Sequence, residues 1–315
     1  MKASALAFQL VQSLLVLLLA PLFLGWVDQC RAWLQNRRGA GVWQPYRTLV
    51  KLFYKEVVLA HDASPLFRVT PYVLFGCMAL TATLVPMVAT DLPLAGAVDV
   101  IALVGILALA RVFLALAAMD VGTAFGSLGA RREMLVSFLA EPALLMVFFT
   151  AASLSASTSL STIVTVLTHR GFFLYPSLAF SGVAFLMVLL AENGRIPVDN
   201  PETHLELTMI HEAMILEYTG RHLALIEWAQ GLKLLAYVGL GLALFFPFGM
   251  TESGDWWALP GALLAFILKL IFMGAGLALL ETLSAKQRLF RVPEFMGGAF
   301  LLAVLAILIH YLLGA

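Results

Sequence analysis

The chain has 315 residues, 62% of them apolar and 12% charged, with a mean hydropathy of +0.95 and 19 basic side chains balancing 19 acidic ones. A soluble globular domain carries about 45–50% apolar residues, so this composition excludes one. It points to a polytopic membrane protein with the lipid bilayer as its surroundings and no nucleic acid as partner.

A spanning helix needs roughly 20 mostly apolar residues, because about 20 rises of 1.5 Å match a hydrocarbon core of about 30 Å. Eight windows meet that length: about 4–27, 70–90, 98–118, 135–154, 173–191, 224–247, 259–281 and 295–313. Porin-like alternation is absent, so the expected fold is an all-α bundle of about eight spans with amphipathic or surface helices. The first window is longer than a signal-peptide core and has no A-x-A-like exit, so it is kept as a helix. No linker, low-complexity tract or transporter-type repeat interrupts the spans, and residues 1–315 read as one membrane domain.

The charges are unevenly placed. Loops at 28–69, 119–134, 192–222 and 282–294 hold 14 of the Lys and Arg residues, while the opposite side holds Lys2 and Arg170. By the positive-inside rule the basic loops are cytoplasmic and both termini face outward. Large loops on one side and short ones on the other, near 91–97 and 248–258, suggest that a partner docks on the cytoplasmic side. The Ser/Thr-rich segment 155–172 predicts a lengthened helix or a re-entrant turn.

In the first basic loop, Trp43, Tyr46, Leu49, Val50, Leu52 and Phe53 share one helical stripe, with Arg47, Lys51 and Lys55 opposite. That is an amphipathic interfacial helix, either a lipid-surface anchor or a docking surface. Gly122, Gly126 and Gly129 have GxxxG-like spacing but no following Gly-Lys-Ser/Thr. They read as helix-packing or tight-turn positions and not as a phosphate loop.

The stretch LAENGRIPVDNPETHLELTMIHEAMILEYTG, 190–220, concentrates carboxylates and two histidines in an otherwise apolar chain. Pro197 ends the extension of the fifth span. Asn200 and Pro201 look like an N-cap and first helical residue, with Glu202 in the first turn, so a surface helix is expected over about 201–218. His204 and His211 fall roughly on one face near Glu206 and Glu212. His211–Glu212 lacks the second His of a zincin motif, so a hydrogen-bonded or proton-exchanging pair is favoured over a metal site. Cys30 and Cys77 have no CxxC partner spacing, which argues against iron–sulfur or zinc ligation; they read as ordinary buried thiols.

Six ionisable groups fall within or at the ends of spans: Arg111, Glu141, Glu192, Lys233, Lys269 and Glu281. A charged group at the bilayer centre costs at least ~2.5 kcal/mol unless paired or hydrated, so such groups face a bundle interior or a water-filled path. Static ion pairing of Arg111 with Glu141, or snorkelling of Glu192 and Glu281, is the structural alternative for any one of them. Together they form a candidate chain from the cytoplasmic side to about mid-membrane, with Glu192 and Glu281 at cytoplasmic span ends. The outward halves are nearly free of charge, with Asp99 and His310 near the ends. Such a chain can pass protons sideways to a neighbour but has no outward exit of its own.

The sequence resembles, over nearly its whole length, the proton-channel membrane subunit at the heel of respiratory complex I and of membrane-bound [NiFe] hydrogenases. The family's E-x-x-R-x-P-x-D loop motif, spaced carboxylates and E-Y-S/T-G appear as Glu192, Arg195, Pro197, Asp199, Glu202, Glu206, Glu217, Tyr218, Thr219 and Gly220. The NRRG turn with YRTLVKLFYKE, the run ARVFLALAAMDVG at 110–122, AEP at 140–142 and LLETLSAKQRL at 279–289 are similar too. His204 stands where an acidic residue is common. Quinone-reducing members usually carry a longer first loop with R-x-G-P-N-x-x-G. The compact RRGAGVWQPYR resembles instead the formate hydrogenlyase branch of energy-converting hydrogenases.

The resemblance implies a non-redox subunit without a catalytic residue, metal or cofactor of its own, in a bacterial or archaeal cytoplasmic membrane. Its partners would be a [NiFe] large subunit and an iron–sulfur small subunit, which hold the redox centres, and antiporter-like membrane subunits. Quinone is not expected. Protonation changes at Glu192, Glu202, Glu206 and Glu217 would be relayed through Glu141, Glu281, Lys233 and Lys269. Arg111 would keep Glu141 charged or poised, and Arg195 and Asp199 would pair to order the loop. Pro197, Tyr218, Arg37, Arg38 and Asp120 would lie at the interface with the arm. Three other readings stand: the heel component of a quinone-reducing NADH dehydrogenase, with a tunnel opening between spans one and six; a self-sufficient transporter; and a structural anchor.

Overall fold

The computed structural model describes residues 2–313 apart from 91, 93, 95–98, 170–175, 200–208 and 253–254. The helices are α1 (Lys2–Leu34), α2 (Gln44–Phe53), α3 (Pro65–Leu84), α4 (Val100–Asp120), α5 (Ala124–Ser155), α6 (Leu160–His169), α7 (Pro176–Glu192), α8 (His211–Ile215), α9 (Gly220–Phe245), α10 (Leu259–Leu283) and α11 (Val292–Leu313). Seven of them, α1, α3, α4, α5, α9, α10 and α11, are long and apolar enough to cross a membrane. The 17-residue α7 is the eighth expected window. The all-α polytopic expectation therefore holds.

Two boundaries differ for a physical reason. α5 begins eleven residues before its apolar window. The Thr123 hydroxyl accepts from Gly126 N and caps a polar first turn that hydropathy does not register. At its other end Ala156 takes a left-handed conformation (φ 52°), so α6 is a separate ten-residue helix and not a lengthening of α5.

α9 forms the centre of the bundle and is the most deeply buried span. α3, α1, α2 and α7 pack around it, α11 lies against α5 and α7, and α10 lies against α1. α10 and α11 bury the smallest share of their surfaces, as expected of helices facing lipid. A two-residue parallel pair, β1 (Ala89–Thr90) with β2 (Thr251–Glu252), ties the α3–α4 connection to the α9–α10 connection. That end of the bundle is called the far end below; the end carrying the α1–α2, α4–α5, α7–α9 and α10–α11 connections is the basic end.

The glycines of the α4–α5 turn act as the spacing suggested. Gly122 has φ +73°, and a Cβ on Gly126 would stand 2.3 Å from the Ala118 carbonyl oxygen. A Cβ on Gly129 would stand 2.9 Å from both Ala213 Cβ and Ile210 O, so α8 packs directly onto α5 there. The amphipathic segment forms α2, whose Leu49 and Leu52 bury against Ala224 of α9. Trp43, Val50 and Phe53 of the same stripe stay exposed. Of the helix expected over 201–218, residues 201–208 lie outside the described ones, and the remainder is helical only from His211 to Ile215. It stops early because the chain must turn at Leu216–Glu217 to enter α9 through Gly220, at φ +54°. Cys30 is buried, and Cys77 is only half-buried, so the expectation of two buried thiols holds for the first.

Candidate functional site

Arg111 lies near the middle of α4 and is 7% exposed. An unpaired buried guanidinium is prohibitively costly, and two helices supply carboxylates to it. The Glu141 oxygen of α5 lies 2.9 Å from Nη1, Glu192 at the end of α7 accepts from Nη2, and Glu133 of α5 stands 3.6 Å from Nε. From α9, Lys233 Nζ lies 3.2 Å from the Glu192 carboxylate and 2.5 Å from its backbone oxygen. Tyr237, fully buried, follows one turn later on the same face of α9. The far side of Glu133 meets His211 Nε2 at 3.5 Å. Two permanent cations thus face three carboxylates, which leaves room for one further proton, on a carboxyl or on His211.

A second node forms nearer the basic end. Glu281 of α10, 3% exposed, is held between Arg195 at 3.1 Å and Arg31 at 3.5 Å, and Arg31 also reaches Asp28 at 3.4 Å. Asp199 meets Lys286 at 3.3 Å and accepts from the backbone N–H groups of Ile210 and His211. A cavity of about 610 Å³ between α1, α2 and α9 joins the nodes. Glu192 and Lys233 line its inner part, and the exposed Arg37 and Arg38 belong to its outer wall. Glu212 and Glu227 face it from opposite elements.

Residues 8–312 match the NADH dehydrogenase family. The chain belongs to that family. Its relatives include hydrogenase-4 component C and formate hydrogenlyase subunit 4, both of Escherichia coli (strain K12). Each is 34% identical over 299 residues, covering 95% of this chain and 94% or 96% of the relative. A membrane component of the NADH-quinone oxidoreductase of Neorickettsia sennetsu is 25% identical over 245 residues, 74% of this chain and 71% of that one. The fold is also that of a chain in the membrane-bound sulfane sulfur reductase, an archaeal respiratory membrane complex. There the TM-score is 0.81, at 18% identity over 95% of this chain and 98% of the other. The family resemblance read from the loop motif is thereby borne out.

Within this family fold, the structure brings together Arg111, Glu141, Glu192 and Lys233, and joins Glu281 and Arg195 beside them. Other expectations need correction. Glu192 is not at a membrane-surface end of its span: α7 is short, and its last residue meets the middle of α4. Arg195 and Asp199 do not pair with each other. The turn in which Asp199 N donates to Arg195 O sends one side chain to Glu281 and the other to Lys286. Lys269 does not join the chain; its Nζ donates to Phe246 O at 2.8 Å and to Phe248 O at the far end of α9. Glu217 is exposed.

Asp120 accepts from Ser64 N at 2.9 Å, holding the start of α3 instead of facing a partner. Tyr218 is buried, stacks on Phe67 at 3.9 Å and donates to its carbonyl oxygen, so it joins α3 to α9. Burial pushes its hydroxyl pKa above the ordinary value. Pro197, preceded by a cis peptide bond, accepts from Gln287 N through its carbonyl at 2.9 Å. Glu202, Glu206 and His204 lie outside the described residues.

Sequence reasoning passes over Glu133, Arg31, Lys286, Glu227 and Tyr237. Glu133 has a usable signal: once α5 is traced back to its Thr123 cap, Glu133 stands eight residues before Glu141, near the same helical face. Among the described residues no group of three His, Cys, Asp or Glu side chains converges as a metal site.

Proposed function

We propose that this chain, acting as one membrane domain, is the membrane-anchoring, ion-translocation-coupling subunit of a membrane-bound [NiFe] hydrogenase complex of the formate hydrogenlyase kind. The two 34%-identical hydrogenase relatives support this branch over the more distant quinone oxidoreductases. The partners of this reading are a [NiFe] large subunit and an iron–sulfur small subunit on the basic, cytoplasmic end, with antiporter-like subunits beside the bundle. The [NiFe] centre and the clusters belong to those partners, since this chain offers no converging ligand set among its described residues.

The observation that carries the coupling role is the Arg111 cluster: three carboxylates and two cations at mid-height, reached from the basic end by an ionisable cavity. A change of charge at the loop holding Arg195, Asp199 and His211 alters the field on Glu192 and Glu133, and a proton shifts among the carboxylates. Glu202, Glu206 and Glu217 would supply protons from the loop. In the assembled complex, Glu192→Gln and Glu141→Gln should leave viologen-driven hydrogen evolution near wild type while lowering ion movement into inverted vesicles, at least tenfold for Glu192. Unchanged ion movement in both variants would reduce the chain to a structural anchor.

One observation favours a second reading. The cavity lies between α1 and α9, where a quinone tunnel would open. Its wall carries Asp28, Arg31, Glu192, Arg195, Glu227 and Lys233, which suits water and protons better than an isoprenoid tail. Co-purifying stoichiometric quinone, or inhibition by quinone-site blockers, would decide for the second reading.

A further inference from the structure

On the side turned away from the charged cluster, α7 and α9 form a groove with α10 of about 700 Å³. Val183 and Leu186 of α7, Phe245 of α9 and Met273 and Leu280 of α10 are among its walls, and Thr168 is the one polar side chain lining it. At Gly276, a lining residue, an added Cβ meets no described atom within 4 Å, so α10 presents bare backbone to the groove.

Size decides what fits. A helix with side chains is about 10–12 Å across, so even 20 Å of it fills more than about 1,500 Å³. An acyl chain about 4–5 Å wide, running half of a ~30 Å core, fills only about 300 Å³.

The end of the groove carries a cation. Lys269 lies one turn from Met273, its Nζ donates to the carbonyls of the lining residues Phe246 and Phe248, and it stands 4.4 Å from the Phe248 ring centroid. An ammonium has three donors, and two carbonyls take two of them. Lys269 is also twelve residues from Glu281, about 18 Å along α10. Glu281 is joined through Arg195 to the chain just after Glu192, which sits at mid-height. A step of that length exceeds the ~15 Å half-thickness of the core, so Lys269 reaches the polar boundary at the far end.

We propose that this groove seats one acyl chain of a phospholipid of the far-end leaflet, with the third Lys269 donor directed to its phosphate. The groove is then a lipid-binding site distinct from the charged cavity, and it does not depend on the coupling role.

The test uses the full-length chain reconstituted in phosphatidylethanolamine–phosphatidylglycerol vesicles doped with phosphatidylglycerol bearing a mid-chain diazirine. After irradiation, labelled peptides are mapped by mass spectrometry. Labelling of 183–186 and 273–280 is expected to exceed that of the lipid-exposed Leu301, Leu305 and Leu308 of α11 several-fold. Gly276→Leu and Val183→Trp fill the groove from opposite walls, and each should cut that excess several-fold while leaving α11 labelling unchanged. Lys269→Gln should lower the lipid retained through detergent purification. Groove labelling no stronger than on α11, or an excess that survives both filling variants, would overturn the proposal. So would crosslinking of these residues to another polypeptide in native membranes, which would make the groove a helix-docking site.

Discussion

α7 and α9 each serve two regions of opposite character. On one face they carry Glu192, Lys233 and Tyr237 into the Arg111 cluster; on the other, Val183, Leu186 and Phe245 wall an apolar groove. The first region depends on mutual charge compensation, so removing one member leaves the others exposed to a low-dielectric interior. The second depends on shape and tolerates substitution that keeps its volume. In a membrane protein the charged interior, and not the greasy one, is therefore where single substitutions do most harm.

Arg111→Met should have the largest effect, because three carboxylates lose their shared cation. Removal of one partner from a buried ion pair costs about 3–5 kcal/mol, and a thermal-unfolding assay in detergent should show the chain markedly destabilised. Adding Glu192→Gln and Glu133→Gln to Arg111→Met should recover part of that loss; no recovery would mean that the cluster is not held by charge balance. Next, Gly126→Leu should destabilise by a few kcal/mol, since even a Cβ collides with the Ala118 carbonyl at 2.3 Å. The same change at Gly276, which faces open groove, should leave the melting temperature nearly unchanged.

Arg195→Gln should cost less, because Arg31 stays within 3.5 Å of Glu281. A double-mutant cycle with Arg31→Gln should reveal a coupling of about 0.5–3 kcal/mol. The smallest effect belongs to Tyr218→Phe, which keeps the stacking on Phe67 and loses one hydrogen bond worth about 1 kcal/mol. Because the folded chain raises this hydroxyl's pKa, folding favours the protonated form. That contribution is full below the ordinary value of about 10 and fades as pH rises beyond it. The variant should therefore respond less than wild type as pH is raised through about 10, and equal responses would remove Tyr218 from the alkaline transition.

The parts of the chain that sequence makes legible are those where one residue type answers to one constraint. Eight apolar windows mark eight helices because lipid imposes a length on each. Arg111 is matched to Glu141 because an isolated arginine has no place in a span. The misplacements have the opposite origin, in constraints set by distant segments. Glu133 and Arg31 look like loop charges, since their helices continue past the apolar windows. Glu192 looks superficial because the height of α7 relative to α4 cannot be read from either segment alone. Arg195 and Asp199 look like natural partners four residues apart, until Glu281 and Lys286 arrive from across the bundle. Lys269, central in its own window, lies level with the end of α9, so it belongs to the groove and not to the proton path.

The end of α7 has one more consequence. Its last carbonyls are taken in turn by backbone donors: Leu189 O by Asn193, Leu190 O by Arg195 and Ala191 O by Gly194, with Gly194 left-handed at φ +57°. The Glu192 carbonyl is the one these turns leave over, at the negative pole of the helix macrodipole, and Lys233 Nζ occupies it at 2.5 Å. The lysine is thus moored to the main chain as well as to the carboxylate. When the Glu192 side chain takes up a proton, Lys233 keeps its berth and its charge in place, and the field that draws the next proton out again is already there.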